Sequence, residues 1–106
     1  MLPQVKVLRP EGMLDASKST QFRQQIKDII NEGARYILID LKKVNFIDSS
    51  GLGALVLALK MVKEKGGKLF LMSLNEQVKM LFELTNTGHL FEVINDEAEL
   101  AEKIKA

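Results

Sequence analysis

Residues 44–60, "VNFIDSSGLGALVLALK", decide the fold. A short strand, "VNFI", ends at Ile47. Asp48, Ser49 and Ser50 then supply three side chains able to cap a helix. Gly51 and Gly53 follow, and an apolar run opens behind them. A helix start leaves backbone N–H groups unpaired, and aspartate or serine oxygens accept hydrogen bonds from them. One such side chain is enough for that job. A glycine in a helix costs about 1 kcal/mol relative to alanine, while leaving the backbone and its neighbours open to close approach. Ends of strands that run into helix starts are also where ligands and partners meet open α/β sheets. Two readings therefore stand: a structural cap, and an exposed serine beside Asp48 presented to another protein's active site.

The helix after this turn is expected from about Ser50 to Lys65, stopped by Gly66-Gly67. Leu52, Leu55, Val56, Leu59 and Val62 form its core stripe, and Ala54, Leu57, Ala58 and Met61 fall on the other faces. A helix apolar nearly all round is either buried on both sides or exposes an apolar patch to a partner. On the upstream side, "RYILID" (35–40) is a run of strand formers covered on both faces. "QVKVL" (4–8) alternates like an edge strand, and "PEGMLD" (10–15) is a turn with a short strand through Met13 and Leu14. Phe22, Ile26, Ile29 and Ile30 have helical spacing in "SKSTQFRQQIKDIINEG", with Asp15 or Ser17 as cap and Gly33 at the stop. Downstream come a buried strand "KLFLM" (68–72) and a helix over 75–84 with Val78, Leu81 and Phe82 inward. A last strand "LFEVI" (90–94) follows. A terminal helix from Asp96 carries Leu100, Ala101 and Ile104. Alternating strands and helices predict an α/β fold: one domain over 1–106, a mixed but mostly parallel sheet and about four α-helices. The short turn after residue 8 predicts that the first strand pairs antiparallel with its neighbour.

Composition excludes several function classes. The 106 residues suit a single core, and the net charge of +1, with both signs scattered, argues against a nucleic-acid footprint. No cysteine is present, which excludes a disulfide frame and a thiolate metal site and fits a reducing compartment. His89 is the single histidine, so no multi-histidine metal centre can form within one chain. The apolar run Leu52–Leu59 is too short to span a bilayer, and "MLPQVKVLRP" lacks the layout of a signal peptide. These features predict a cytoplasmic protein. A serine hydrolase needs a base beside Ser49, and nothing in the sequence brings His89 there; Ile47 also breaks the Gly-x-Ser-x-Gly spelling. A phosphate loop fails because "GLGALVLALK" lacks the Gly-Lys-Ser/Thr ending. No cofactor is implied, and the expectation is a protein that is not an enzyme.

The stretch "FIDSSGLGALV", preceded by "YILIDLKKV", resembles the anti-sigma factor antagonists of the STAS domain family. The likeness extends over essentially the whole chain. "EGMLD" is similar to the family's Gly-x-Leu-Asp element, and "GGKLFLMSLNEQVKMLFELTNTGHLFEV" to its later strand, helix and Leu-Phe segment. "TNTGH" (85–89) is a less typical spelling of the late loop. The resemblance implies partner switching in transcription regulation. The unphosphorylated protein binds an anti-sigma factor that is also a serine kinase, phosphorylation releases it, and a PP2C-type phosphatase reverses the mark. By position the phosphorylated serine is Ser49, with Asp48 and Asp15 as acidic neighbours and Ser50 as a cap. The implied partner-binding set is Asp15, Asp48, Ser49, Ser50, Gly51, Leu52 and Gly53. The alternative is a constitutive STAS interaction module of a transporter or lipid-transport complex, without phospho-regulation.

Overall fold

The computed structural model describes residues 5–105. Gln4 and Ala106, the outer ends of the first expected strand and the last expected helix, lie outside the described residues. In chain order the elements are β1 (Val5–Leu8), β2 (Gly12–Leu14), α1 (Ala16–Asn31), β3 (Tyr36–Asp40), β4 (Val44–Ile47) and α2 (Ser49–Glu64). Then follow β5 (Lys68–Met72), α3 (Glu76–Thr85), a 3-10 turn (Gly88–Leu90), β6 (Glu92–Val93) and α4 (Glu97–Lys105).

A four-stranded sheet runs in the order β1-β3-β5-β6, and β2 and β4 form a separate two-stranded ribbon. Residues of β3 and β5 alternate between two cores. Ile37, Ile39, Leu69 and Leu71 join the larger core with residues of α1, α2 and α3. Leu38, Phe70 and Met72 join a smaller one on the opposite face, closed by Ile94 and by Leu100 of α4. This double cover is why both strands read as unbroken apolar runs.

The α/β class and the largely parallel sheet are as the sequence predicts, but the antiparallel start is not. β1 pairs parallel with β3, and β2 pairs parallel with β4. Every pairing among the described residues is parallel. After Leu8 the chain changes sheets. Val5 and Val7 pack against the smaller core, whereas Leu14 belongs to the larger one. β1 takes the edge position beside β3 and β2 pairs with β4, so the two strands are not neighbours, however short the turn between them. The last strand is also shorter than its apolar run. Leu90 is taken by the 3-10 turn, and Phe91 stacks on Phe82 with ring centroids 5.3 Å apart.

The all-apolar character of α2 has a structural cause. Leu52, Leu55, Leu59 and Val62 are buried, and so are Ala54 and Ala58, on the flank that meets α1. Val56, expected in the core stripe, is half-buried. Leu57 and Met61 also stay half-buried, beside Arg23, Gln24 and Lys27 of α1. The helix ends where Gly66 takes φ +76° and the Gly67 N–H donates to the Val62 carbonyl at 2.9 Å.

Candidate functional site

Leu14 of β2 stands opposite Ile47 of β4 in parallel register. The next residues, Asp15 and Asp48, therefore leave the ribbon side by side, with neighbouring strands about 4.8 Å apart. Each aspartate caps its own helix, so α1 and α2 start together at one end of the molecule. Asp15 Oδ1 accepts from the Ser17 N–H at 3.0 Å and from the Ser17 hydroxyl at 2.6 Å. That hydroxyl holds the Asp15 carboxyl below its ordinary range. Asp48 Oδ1 accepts from the Gly51 N–H at 2.9 Å, and the Asp48 N–H donates to the Leu14 carbonyl at 3.3 Å. Neither helix carries an acidic side chain in its first turn.

The seven residues of the expected partner surface divide. Ser49 and Ser50 are the first two helical residues of α2, and both are exposed. Ser50 is not the cap. That role needs extended backbone, which Asp48 has at φ −100° and ψ −174°. Gly51 is buried, and a Cβ there would stand 1.9 Å from the Leu14 carbonyl oxygen. Its missing side chain lets α2 press against the end of β2, and does not open the backbone to a visitor. Leu52 is only 7% exposed and belongs to the core, which removes its side chain from any contact surface. Gly53 is exposed, with nothing within 4 Å of the position of a Cβ. Asp15 and Asp48 are half-buried. The open surface thus consists of Asp15, Asp48, Ser49, Ser50 and Gly53.

A profile of the STAS domain matches residues 2–100. The chain belongs to the STAS domain family. Among relatives of this STAS domain, the anti-sigma-B factor antagonist of Bacillus subtilis is 34% identical over 82 residues, covering 77% of this chain and 74% of that protein. The crystal structure of TM1081 from Thermotoga maritima superposes with a TM-score of 0.89 at 29% identity, over 100% of this chain and 92% of that one. The anti-sigma factor antagonist SpoIIAA in its unphosphorylated form shares the fold, with a TM-score of 0.75 at 22% identity, over 100% and 94% of the two chains. SpoIIAA in its phosphorylated form gives 0.71 at 23% identity, over 93% and 90%.

Around this helix start the STAS domain holds groups that no sequence motif marks. The side-chain amide of Gln77, on α3, spans both backbone groups of Ile47: Oε1 accepts from its N–H at 2.9 Å, and Nε2 donates to its carbonyl at 2.8 Å. Asn75, the cap of α3, donates to the Val44 and Asn45 carbonyls at 3.1 and 3.3 Å. Ser19 and Arg23 of α1 face Ser50, Gly53 and Leu57 across an open cleft of about 260 Å³. Such contacts, up to 31 residues apart in the chain, leave no local pattern to find. His89 lines a different cleft with Leu59 and Lys63. Leu59 alone is roughly 15 Å along α2 from Ser49, so the imidazole is not placed to act as its base. Among the described residues, no three His, Cys, Asp or Glu side chains gather as a metal site, and no helix is long and apolar enough to cross a membrane.

Proposed function

We propose that this STAS domain is an anti-sigma factor antagonist of the partner-switching type, with Ser49 as its phosphorylated residue. Unphosphorylated, it binds an anti-sigma factor that is also a serine kinase; a PP2C-type phosphatase restores that form. It performs no catalysis itself and works in the cytoplasm. The relatives' names support the role. The observation that carries it is the placement of Ser49, an exposed hydroxyl on the first residue of a helix whose start is tied to the neighbouring strand.

Physical chemistry supports a switch at this position. A phosphate brings roughly −1.5 to −2 charges and three acceptor oxygens. Beyond the capping Asp48 the first turn of α2 carries no acidic side chain, and its dipole receives that charge favourably, so the fold tolerates it. A partner meets something different. Asp15 and Asp48 stand beside Ser49 with Lys18 and Arg23 nearby, and the phosphate adds roughly two negative charges to this mixed surface. One added charge about 6 Å from a partner carboxylate costs about 3 kcal/mol at an effective dielectric near 20, or about a hundredfold in affinity.

Two measurements test this. Phosphosite mapping of the protein from its native cells should find phosphate on Ser49 with an occupancy that changes between growth and stress. Phosphate on Ser50 would move the switch by one residue, and none in any condition would favour the constitutive module. Calorimetry against the kinase partner should show undiminished binding by Ser49→Ala and weakened binding by Ser49→Asp. Equal affinities for both variants and the wild type would refute the mechanism.

A further inference from the structure

We propose that Gln77 is a positioning residue for the Ser49 turn. Its amide takes the place of the missing strand on the free edge of β4 and fixes the peptide groups from which the serine is presented. This rests on Ser49 being the modified residue, and it adds the device that holds that residue in place.

Among the described residues β4 is paired with β2 alone, so its other edge would present unpaired backbone groups. At that edge the side chain of Gln77 does what a strand would do, donating and accepting at one residue. A primary amide carries both a donor and an acceptor, so one side chain can serve both groups. Asn75 adds its two bonds at Val44 and Asn45, so the start of α3 is stitched along β4. The residue that Gln77 grips is Ile47, immediately before the capping Asp48. The turn is therefore held from two sides. On one side the Asp48 N–H is tied to the Leu14 carbonyl of β2, and on the other Gln77 holds Ile47.

Such a clamp matters to a site acted on by another enzyme. A hydroxyl must be held to within about 0.5 Å of productive geometry, and a 1 Å misplacement can cost a hundredfold in rate. Ser49 has an exposed side chain, so its accuracy must come from the backbone beneath it. The core does not need Gln77 for its packing. Val78 and Phe82 carry the buried face of α3, while Gln77 is half-buried at its side.

The discriminating variant is Gln77→Met, which keeps the length and bulk of the side chain and removes both hydrogen bonds. Amide hydrogen exchange on the full chain should show Ile47 protection falling at least about tenfold, with Asp48 and Gly51 affected and the β3 amides unchanged. The unchanged β3 amides report that the fold is intact. With ATP and the kinase partner, the variant's kcat for Ser49 should fall about tenfold, with KM nearly constant. Unaltered Ile47 protection would overturn the clamp. An altered exchange pattern with unaltered phosphorylation kinetics would overturn its role in presenting Ser49. A wild-type chain that takes no phosphate on Ser49, yet loses Ile47 protection in Gln77→Met, would refute the switch and leave a purely structural clamp, which also overturns the positioning role.

Discussion

Gly51 and Gly53 stand two residues apart in the first turn of α2 and serve opposite ends. A methyl group on Gly51 would lie 1.9 Å from the Leu14 carbonyl oxygen, a backbone atom that cannot swing away. Gly51→Ala should therefore destabilise the domain by about 3 kcal/mol, seen as a lower urea midpoint at unchanged slope. At Gly53 the same methyl group meets open space. Gly53→Ala should stabilise by about 0.5–1 kcal/mol through helix propensity and a less flexible unfolded chain. Equal urea midpoints for the two variants would refute the close approach of α2 to β2. Asp15 gives a second expectation, this one in pH. The hydrogen bond from the Ser17 hydroxyl lowers its folded pKa. Its contribution to stability is thus complete above the ordinary carboxylate range and is lost as pH falls through the lowered folded value. Ser17→Ala should move the Asp15 titration upward, as followed by the NMR shift of its carboxyl carbon. A midpoint that stays in place would mean that some other group holds the charge. Asp48, Ser49 and the glycines stood out in the sequence because caps and glycines have local meaning. Which glycine is for packing and which for access did not, because that depends on Leu14, 37 positions away from Gly51.

The ends of β1, β3 and α4 are tied by one arginine. Among the described residues Asp40 is the one buried charged residue; its Oδ1 accepts from the Lys42 N–H at 3.0 Å, and its Oδ2 lies 3.4 Å from Arg9 Nε. Arg9 also reaches Glu97 at the start of α4, 2.7 Å away. The two pairs are unequal. Arg9 and Glu97 are both 53% exposed in their side chains, so solvent screens their attraction, and Glu97→Ala should change stability by less than about 0.5 kcal/mol. Arg9→Met leaves a buried carboxylate with a single N–H partner and should cost about 1–2 kcal/mol, allowing for the exposure of the arginine. Adding Asp40→Asn to Arg9→Met should recover most of that loss, since the charge without a partner is then gone. Urea unfolding of the single and double variants checks this, and additive losses would show that the pair is not coupled. This tie was hidden in the sequence, where Asp40 reads as the polar end of an apolar strand. The helices themselves were legible, since Phe22, Ile26 and Ile29 or Val78 and Phe82 repeat at the helical period and are buried. Strand pairing was not legible, because β1 and β2 pair with β3 and β4, far along the chain, and not with each other.

The whole domain carries its proposed switch at one end, where the paired β2–β4 ribbon delivers two helix starts side by side. This architecture separates stability from signalling. The cores lie under the sheet and along α2, whereas Ser49 is exposed at the first residue of that helix. A phosphate on Ser49 displaces no buried atom, and the helix start favours its charge, a gain set against repulsion from Asp15 and Asp48. These terms are each about 1 kcal/mol or less at an exposed site and oppose one another. The thermal midpoint of the Ser49-phosphorylated chain should therefore lie within a few degrees of the unmodified one. Affinity for the kinase partner should fall about a hundredfold in the same preparation, because the bound partner excludes the water that screens the charge. Salt provides the control. Raising ionic strength should narrow the affinity gap between the two forms, since part of it is long-range repulsion. Calorimetric scans of both forms, with titrations at low and high salt, measure all three quantities. A large drop in thermal midpoint on phosphorylation would mean that the switch works by loosening the fold, and would contradict an origin in charge at the surface.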